Sequence, residues 1–140
     1  MDLLVNIDVP DLARAEAFYT AAFGLTVRRR FGDGGVELSG LPAKLYLLEK
    51  PEGSIGAGQD VRRYGRHWTP VHLDVVVEDL ETALNRALAA GAVADAEPRT
   101  HIWGKIAVLA DPFGNGFCLI EFLNRGYDEI ASTIHQSSGC

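Results

Sequence analysis

Two segments of the chain share one order of apolar and polar positions. Residues 4–12 (LVNIDVPDL) and residues 72–80 (HLDVVVEDL) align without a gap at an offset of 68 residues, from position 4 to position 72. The alternation within each segment is typical of a strand that is buried on one face. Both segments run into a stretch with helical spacing, so the chain repeats a strand followed by a helix.

The two predicted helices have matching start and stop signals. Asp11 and Asp79 each precede the apolar run, where a carboxylate can accept hydrogen bonds from the free amides of a first helical turn. Gly24 and Gly91 follow the runs, where the chain needs a left-handed residue. The predicted apolar faces are Ala15, Phe18, Tyr19 and Ala22 in the first helix, and Leu80, Ala83, Leu84, Ala87 and Leu88 in the second.

Short strand-like runs follow each helix and complete the repeat. The first half has runs at 25–31, 36–39 and 44–49, and the second has a weak run at 92–94 and clearer runs at 106–110 and 117–122. We therefore predict an α+β fold with two βαβββ modules in a single domain over residues 1–130. Module one spans 1–50, a linker and crossover loop spans 51–70, module two spans 71–123, and residues 131–140 form a polar tail.

Composition excludes several classes of protein. The 140 residues include 47% hydrophobic and 23% charged side chains and carry a net charge of -6, so no general attraction to nucleic acid or anionic lipid is available. No apolar run approaches the roughly 18–20 residues that span a bilayer. The two cysteines, Cys118 and Cys140, form no CxxC pair or disulfide framework. We expect a cytoplasmic protein with neither a nucleic-acid nor a membrane partner.

Several motifs occur in the order found in one known superfamily. The segment Val9–Tyr19 (VPDLARAEAFY), the Phe23-Gly24-Leu25 helix exit and the segment Asp111–Cys118 (DPFGNGFC) resemble the vicinal oxygen chelate superfamily, which includes glyoxalase I, bleomycin-resistance proteins and extradiol dioxygenases. The resemblance covers roughly residues 3–123. It implies a curved mixed sheet around a cleft, built from the two modules.

The resemblance also implies where a metal would be held. Metal-dependent members hold one divalent ion with four inward side chains from the first and last strands of each module, and the matching positions here are Leu4, Tyr46, His72 and Cys118. Leucine has no lone pair to donate, and neutral tyrosine is a poor ligand. His72 and Cys118 fall short of three protein ligands, and Asp74 is the one nearby carboxylate that could compensate. We predict no metal cofactor, with a divalent ion at His72 and Cys118 as the alternative.

The strand pattern predicts a polar cleft. If Leu4 and His72 point inward, then Asn6, Asp8 and Asp74 do so too, and this polar lining favours a ligand-binding cleft over a partly solvated groove. Two aromatic clusters, 64–68 and 101–104, could form its mouth, with Trp68 and Trp103 stacking on a flat ligand or filling space between the modules. The predicted ligand-binding residues are Asn6, Asp8, Tyr46, Trp68, His72, Asp74, Trp103 and Cys118, and the catalytic candidates are His72 and Asp74.

Individual residues keep more than one interpretation. His72 fits a hydrogen-bonding group or general base, a structural histidine, or a metal ligand. Cys118 lies among apolar residues and fits a small buried filler. Tyr46 fits a ligand contact or ordinary packing. The basic runs Arg28–Arg30 and Arg62–Arg63 are predicted to be solvated faces.

Three functions remain open on the sequence. The first is a metal-free small-molecule binding protein of the glyoxalase/bleomycin-resistance type, a homodimer that could confer antibiotic tolerance by sequestration. The second is a lyase, isomerase or dioxygenase of the same fold with an altered metal site. The third is an interaction module in which the cleft is incidental. The sequence names neither the ligand nor a reaction.

Overall fold

A computed structural model describes residues 1–132 of the chain. Its elements, in chain order, are β1 (Leu4–Val9), α1 (Leu12–Phe23), β2 (Thr26–Phe31), β3 (Gly35–Ser39), β4 (Lys44–Glu49), β5 (Ile55–Ala57), β6 (Asp60–Val61), β7 (Leu73–Val76), α2 (Leu80–Ala90), β8 (Val93–Ala94), β9 (Arg99–His101), β10 (Gly104–Ala110), β11 (Gly116–Phe122) and a 3-10 helix (Gly126–Glu129). No helix within residues 1–132 is both long enough and apolar enough to cross a membrane.

The strands form two sheets of the same design. The first sheet has the order β1-β4-β3-β2, and the second has the order β7-β11-β10-β8, with β9 also paired to β10. In each sheet the opening strand runs parallel to the closing strand, and the other pairs are antiparallel. The predicted α+β fold of two βαβββ modules is confirmed. Nine strands divide between these two mixed sheets and β5 and β6 form a separate two-stranded sheet, whereas the sequence suggested one curved sheet.

The predicted helix boundaries are confirmed. The Asp11 carboxylate accepts a hydrogen bond from the Arg14 amide at 3.0 Å, and Asp79 accepts one from the Thr82 amide at 3.0 Å. Both helices end at a left-handed glycine, Gly24 and Gly91. Each helix is thus bounded by the signals that its sequence carries.

The core lies between the two helices and one face of each sheet. All four residues of the predicted α1 face are buried, whereas α2 buries Leu80 and Ala87, partly buries Ala83 and Leu84, and leaves Leu88 exposed. The helices also contact each other, since the Arg86 side chain donates to the Ala21 carbonyl at 2.6 Å. The other face of each sheet carries no helix among the described residues, and we call it the open face of that sheet.

The structure corrects three details of the predicted elements. Residues 51–70, predicted to be a loop, contain the β5–β6 hairpin, which has no alternating apolar pattern because all five of its residues are exposed. Strand β9 was not predicted and is also exposed throughout. Strand β7 begins at Leu73, so His72 lies just before the strand. In the predicted tail, Ala131 and Ser132 are exposed, and residues 133–140 lie outside the described part of the chain.

Candidate functional site

The strand register places polar side chains at the same position in both modules. In the first sheet Asn6 lies opposite Tyr46, and in the second sheet Asp74 lies opposite Cys118. The neighbouring apolar residues of the opening strands, such as Val5 and Val75, pack toward the core. Because successive side chains of a strand point to opposite faces, Asn6 and Asp74 project from the open faces.

A cavity of about 480 Å³ separates the edges of the two sheets, and we call it the junction cavity. One wall is β1, and the other walls are the segment before β7 and the turn between β10 and β11. Of the predicted site residues, the junction cavity brings together Asn6, Asp8 and His72. Its full lining is Val5, Asn6, Ile7, Asp8, His67, Thr69, Val71, His72, Leu73, Gly114, Asn115 and Gly116.

His72 belongs to a cluster of three possible ligand atoms. Its Nδ1 atom lies 3.2 Å from the Asp74 Oδ1 atom, and one ligand atom from each of His72, Asp74 and Cys118 lies within 4.8 Å of the other two. The Trp68 ring packs over the imidazole with 5.0 Å between ring centroids. Trp68 itself is 64% exposed, so it borders this cluster without filling the space between the modules.

The Cys118 thiol is held in its neutral form. Burial, together with the negative charge of Asp74, raises the pKa of this thiol to about 11. At neutral pH the sulfur is therefore protonated, and it is a weak nucleophile and a weak ligand unless a metal displaces the proton. Cys118 is 4% exposed, which agrees with the prediction that it is a small buried residue.

The donor atoms present decide how well this site fits the metal implied by the resemblance. Module one offers no strong ligand from the implied set: Leu4 is a hydrocarbon, and Tyr46 is a neutral phenol that lies opposite Glu37 in its own sheet. Module two offers an imidazole, a carboxylate and a thiol on neighbouring strands. Three such donors match the number and type that zinc accepts in catalytic sites. The residues therefore fit an ion held by module two alone, at His72, Asp74 and Cys118.

Asp8 lines the junction cavity, but its carboxylate already has a partner. Arg62 donates from Nε to Asp8 Oδ2 at 2.7 Å, and it also donates to the Ile55 carbonyl at 2.6 Å. The Asn115 amide donates to the Asp8 backbone carbonyl at 3.2 Å. Asp8 therefore anchors the β5–β6 hairpin and the β10–β11 turn to β1, which leaves it less free to bind a ligand.

A second ion pair fixes the crossover segment over the second sheet. The Arg66 guanidinium donates to the Asp95 carboxylate, with Nη2 and Oδ2 2.7 Å apart, and this contact lowers the pKa of Asp95. Arg66 crosses Gly116 so closely that a Cβ there would collide with the guanidinium. The backbone at Gly65 likewise contacts Gly114 with no room for a side chain. These contacts hold the segment that carries Trp68.

Trp103 lies apart from the His72 cluster. It stacks on His101 with ring centroids 5.2 Å apart and also contacts the rings of Phe122 and Tyr127. Phe122 is four residues along β11 from Cys118, which corresponds to about 13 Å of extended strand. Within one chain the two aromatic clusters therefore lie at different ends of the second sheet and do not form a common mouth.

Sequence reasoning missed Glu37, a fully buried carboxylate on the open face of the first sheet. Its side chain is 0% exposed and binds Arg28 Nη1 at 2.9 Å and Arg29 Nε at 3.0 Å. Hydrogen bonding from the Tyr46 hydroxyl, with the two arginines adding to it, lowers the pKa of Glu37 to about 2. The signal was present in the sequence: a lone carboxylate between Val36 and Leu38, on the strand paired with three arginines.

The basic run Arg28–Arg30 is divided between the two faces of the first sheet. Arg28 and Arg29 bind Glu37 on the open face, and a register shift between Val27 and Arg29 brings both side chains there. Arg30 instead binds Glu16 of α1 through two contacts of 2.8 Å. The run is therefore engaged in ion pairs, where the sequence suggested merely solvated faces.

The paired modules, the mixed sheets and the cleft between them define a member of the vicinal oxygen chelate superfamily. A family model for the glyoxalase-like domain matches residues 4–120, and the chain belongs to this family. No curated protein sequence matches the chain significantly.

Solved structures show the same fold. A glyoxalase/bleomycin resistance protein/dioxygenase family enzyme from Burkholderia phytofirmans superposes with a TM-score of 0.68 at 21% identity, covering 88% of this chain and 100% of its own. The fosfomycin resistance protein FosX from Mesorhizobium loti superposes with a TM-score of 0.68 at 13% identity, covering 92% and 96%. A FosX variant from Listeria monocytogenes, crystallised with Mn(II) and dihydroxypropylphosphonic acid, gives 0.67 at 14% identity, covering 91% and 95%.

Proposed function

We propose that this protein is a small-molecule-binding protein of the glyoxalase/bleomycin-resistance type that holds a drug or metabolite in the junction cavity without a catalytic metal. The observation that carries the proposal is the cavity itself: about 480 Å³ between the opening strands of the two modules. This volume lies within the range of about 300–1,000 Å³ typical of ligand pockets. Asn6 and His72 supply polar contacts, and Val5, Ile7 and Leu73 supply apolar walls.

The donor atoms do not complete the ligand set that the two modules would share, which supports binding without a metal. Position 4 holds a leucine, so the first module cannot complete a shared ligand set. Tyr46 helps to lower the pKa of the neighbouring Glu37 carboxyl, and a neutral tyrosine is a poor ligand for a divalent ion. The Cys118 thiol, with a pKa of about 11, would have to lose a proton at a free-energy cost before it could ligate. The His72–Asp74 pair then serves as a hydrogen-bonding group for the ligand.

Thermal shift with panels of antibiotics and metabolites tests this function. A ligand present at a hundred times its dissociation constant stabilises the folded protein by about 2.7 kcal/mol, which is a readily measured shift in melting temperature. We expect at least one compound to give such a shift, and we expect the His72→Ala variant to lose it. The matched control is His101→Ala, because His101 lies outside the junction cavity. No shift from either panel, or equal shifts in both variants, would contradict the proposal.

A second candidate function is a metal-dependent enzyme, favoured by the proximity of His72, Asp74 and Cys118. These three residues would hold the ion, and a bound divalent ion supplies Lewis-acid chemistry to an oxygen ligand. Elemental analysis of protein purified without chelator separates the two functions. One equivalent of a divalent ion in the wild type, lost in Asp74→Asn, would favour the enzyme. The metal-free proposal expects no stoichiometric ion in either protein.

We also propose that the protein is a homodimer. Within residues 1–132 the open face of the second sheet is covered by no helix, and it exposes two large apolar side chains on neighbouring strands, Val76 and Phe122. Clustered exposed apolar side chains are typical of association surfaces. Sedimentation equilibrium of the whole chain should therefore give twice the monomer mass, and a monomer at all concentrations would contradict this part of the proposal.

A further inference from the structure

The open face of the first sheet carries a cluster of charged and aromatic side chains that the junction cavity does not include. A single row across the four strands places Asn6, Tyr46, Glu37 and Arg29 side by side. Asn6 also lines the junction cavity, so the row leads from the cavity onto the open face. We call the group formed by Arg28, Arg29, Phe31, Glu37 and Tyr46 the arginine cluster.

The arginine cluster has one positive charge in excess. Two guanidinium groups share one carboxylate, and Glu37 is covered by its partners while Arg28 and Arg29 remain 55% and 56% exposed at their side chains. Arg28 donates to Glu37 from Nη1, and Arg29 donates from Nε and Nη2. Each guanidinium has five N–H donors, so both keep donors that face solvent.

Glu37 fixes the geometry of this excess charge. A buried carboxylate that receives two guanidinium groups holds both partners in one arrangement, and the pKa of Glu37, lowered to about 2, keeps it ionised. A free arginine side chain would otherwise lose rotamer entropy when it binds a ligand. A fixed guanidinium binds an oxyanion with less of that entropy to lose.

The two open faces carry opposite balances of charge. Around the first sheet, Arg28, Arg29, Lys44 and Arg62 face two carboxylates, Glu37 and Asp8. Around the second sheet, Arg66 and Arg99 face three carboxylates, Asp74, Asp95 and Glu97. A positive face on a chain of net charge -6 is a local feature, and it attracts a small anion rather than a polyanion.

Aromatic rings lie beside the excess charge. The Arg29 guanidinium is 5.2 Å from the centroid of the Phe31 ring, and the Phe31 and Tyr46 rings are 6.0 Å apart at an angle of 44°. Phe31 is 45% exposed although it is a large apolar side chain. A flat apolar group could cover Phe31 and the tilted Tyr46 ring while its acidic group meets the guanidinium groups.

We propose that the arginine cluster is a binding site for aromatic carboxylates, with the carboxylate at Arg28 and Arg29 and the ring against Phe31 and Tyr46. The single excess positive charge matches a singly charged acid. The inference rests on the proposed function, in that it gives the chemical class of the small molecule that the cleft holds. The acidic end of that molecule lies on the first sheet, and the rest extends along Tyr46 and Asn6 toward the junction cavity.

Isothermal titration with 2-naphthoate and its neutral amide, 2-naphthamide, tests the site. We expect the wild type to bind 2-naphthoate, more weakly as salt is raised, and to bind the amide at least about tenfold more weakly. Arg29→Gln should raise the dissociation constant for 2-naphthoate about tenfold or more and leave that for the amide nearly unchanged. Phe31→Ala should weaken the binding of both compounds, because it removes the surface that the naphthalene ring covers.

The chain offers a matched control next to Arg29. Arg30 has the same side-chain exposure, 56%, but binds Glu16 on the opposite face, so Arg30→Gln should leave the binding of 2-naphthoate unchanged. Equal losses in Arg29→Gln and Arg30→Gln would overturn the site, since they would indicate a general charge effect. Absence of 2-naphthoate binding to the folded wild type at millimolar concentration would also overturn it.

The two proposals can fail separately. If His72→Ala abolishes the binding of panel ligands while Arg29→Gln leaves the binding of 2-naphthoate unchanged, the arginine cluster is not a site and the proposed function stands. If Arg29→Gln weakens the binding of 2-naphthoate and His72→Ala affects the binding of no panel ligand, the site stands and the junction cavity is not the binding pocket.

Discussion

The two modules have the same arrangement of strands and helix, including individual hydrogen bonds at the helix ends, yet their open faces have different chemistry. The last residue of β4, Glu49, accepts a hydrogen bond from the Leu12 amide at 3.1 Å, and the equivalent Glu121 of β11 accepts one from the Leu80 amide at 2.7 Å. The Asp N-caps and Gly C-caps repeat as well. Helix ends leave unsatisfied backbone groups wherever they occur, so the same residues satisfy them twice.

The open faces have no such shared requirement. Opposite the opening strand, module one has Tyr46 bound to a buried ion-pair cluster, and module two has Cys118 beside Asp74 and His72. Residues that satisfy the backbone are constrained by the fold, whereas residues on an uncovered face are constrained by what binds there. Function is therefore expected where the two open faces differ, and stability differences between the modules are expected at the residues that are not repeated.

The largest effect is expected at Asp111, the buried carboxylate of the β10–β11 turn in module two. Its buried carboxylate accepts hydrogen bonds from the Tyr19 hydroxyl at 2.7 Å, from the amides of Phe113 and Asn115, and from the Asn115 side chain. Asp111→Ala would leave several buried donors unpaired and should lower the free energy of unfolding by about 3 kcal/mol or more.

Urea denaturation measures this loss, and Asp33→Ala is the matched control. Asp33 lies in an exposed turn of module one, and its removal should change stability by less than about 0.5 kcal/mol. Equal effects at the two positions would show that the β10–β11 turn is not the special element of module two.

The next effect concerns Glu37 and its dependence on pH. Because the folded protein lowers the pKa of Glu37 from its ordinary 4.5 to about 2, the unfolded chain binds more protons between these values. The stabilisation by this carboxylate is therefore fully present above about pH 5 and disappears as the pH falls toward 2. Glu37→Gln should be less stable than the wild type at neutral pH, with a difference that shrinks on acidification.

Chemical denaturation at a series of pH values tests this expectation. Glu97→Gln, at an exposed position of module two, serves as the reference for removal of a surface charge. If the free energies of unfolding of the wild type and of Glu37→Gln differed by a constant amount down to acidic pH, the ion-pair cluster would not be holding the carboxylate in its charged form.

Because the helix ends of the two modules are equivalent, we expect substitution of the two equivalent glutamates to cause equal and smaller losses of stability. Glu49→Ala and Glu121→Ala each remove one acceptor from a helix N-terminus and should each cost about 1 kcal/mol. Glu78→Ala, an exposed carboxylate close to α2, should cost little. Measured free energies of unfolding that differ strongly between Glu49→Ala and Glu121→Ala would break the equivalence of the modules.

The smallest effect is expected at Cys118. Because the Asp74 charge contributes to the raised pKa of the thiol, Asp74→Asn should lower that pKa and speed alkylation of Cys118 at mildly alkaline pH. The measurement uses a Cys140→Ser background, so that only Cys118 reacts. Asp95→Asn, which removes a more weakly acting charge, should speed the reaction less. An unchanged rate in Asp74→Asn would indicate that burial alone controls the thiol.

The sequence predicted the elements whose signals are local. The apolar face of α1 and the caps of both helices rest on short-range periodicity, and the structure has them. The sequence did not predict β5, β6 or β9, because these strands are exposed and have no alternation of apolar and polar residues. Their positions follow from contacts distant in the chain, such as Arg62 with Asp8.

The candidate site divides in the same way. Alternation along the opening strands placed Asn6 and Asp74 on the open faces, and the register set Asp74 opposite Cys118. The burial of Glu37 depends on a register shift in β2 that brings two consecutive arginines to one face. No sequence pattern reports such a shift in advance. The separation of Trp103 from Trp68 depends likewise on where strands begin, which periodicity locates least well.

The contact between Gly65 and Gly114 has a consequence for how this protein can change over evolutionary time. A Cβ at Gly114 would collide with the backbone of Gly65, so position 114 accepts no side chain, whereas position 65 has space around it and is constrained by its φ of 124°. The ion pairs of Arg62 with Asp8 and of Arg66 with Asp95 hold the segment on both sides of this contact. New specificities would accordingly arise around a fixed point, through substitutions at cavity residues that follow it, such as His67, Thr69 and Val71.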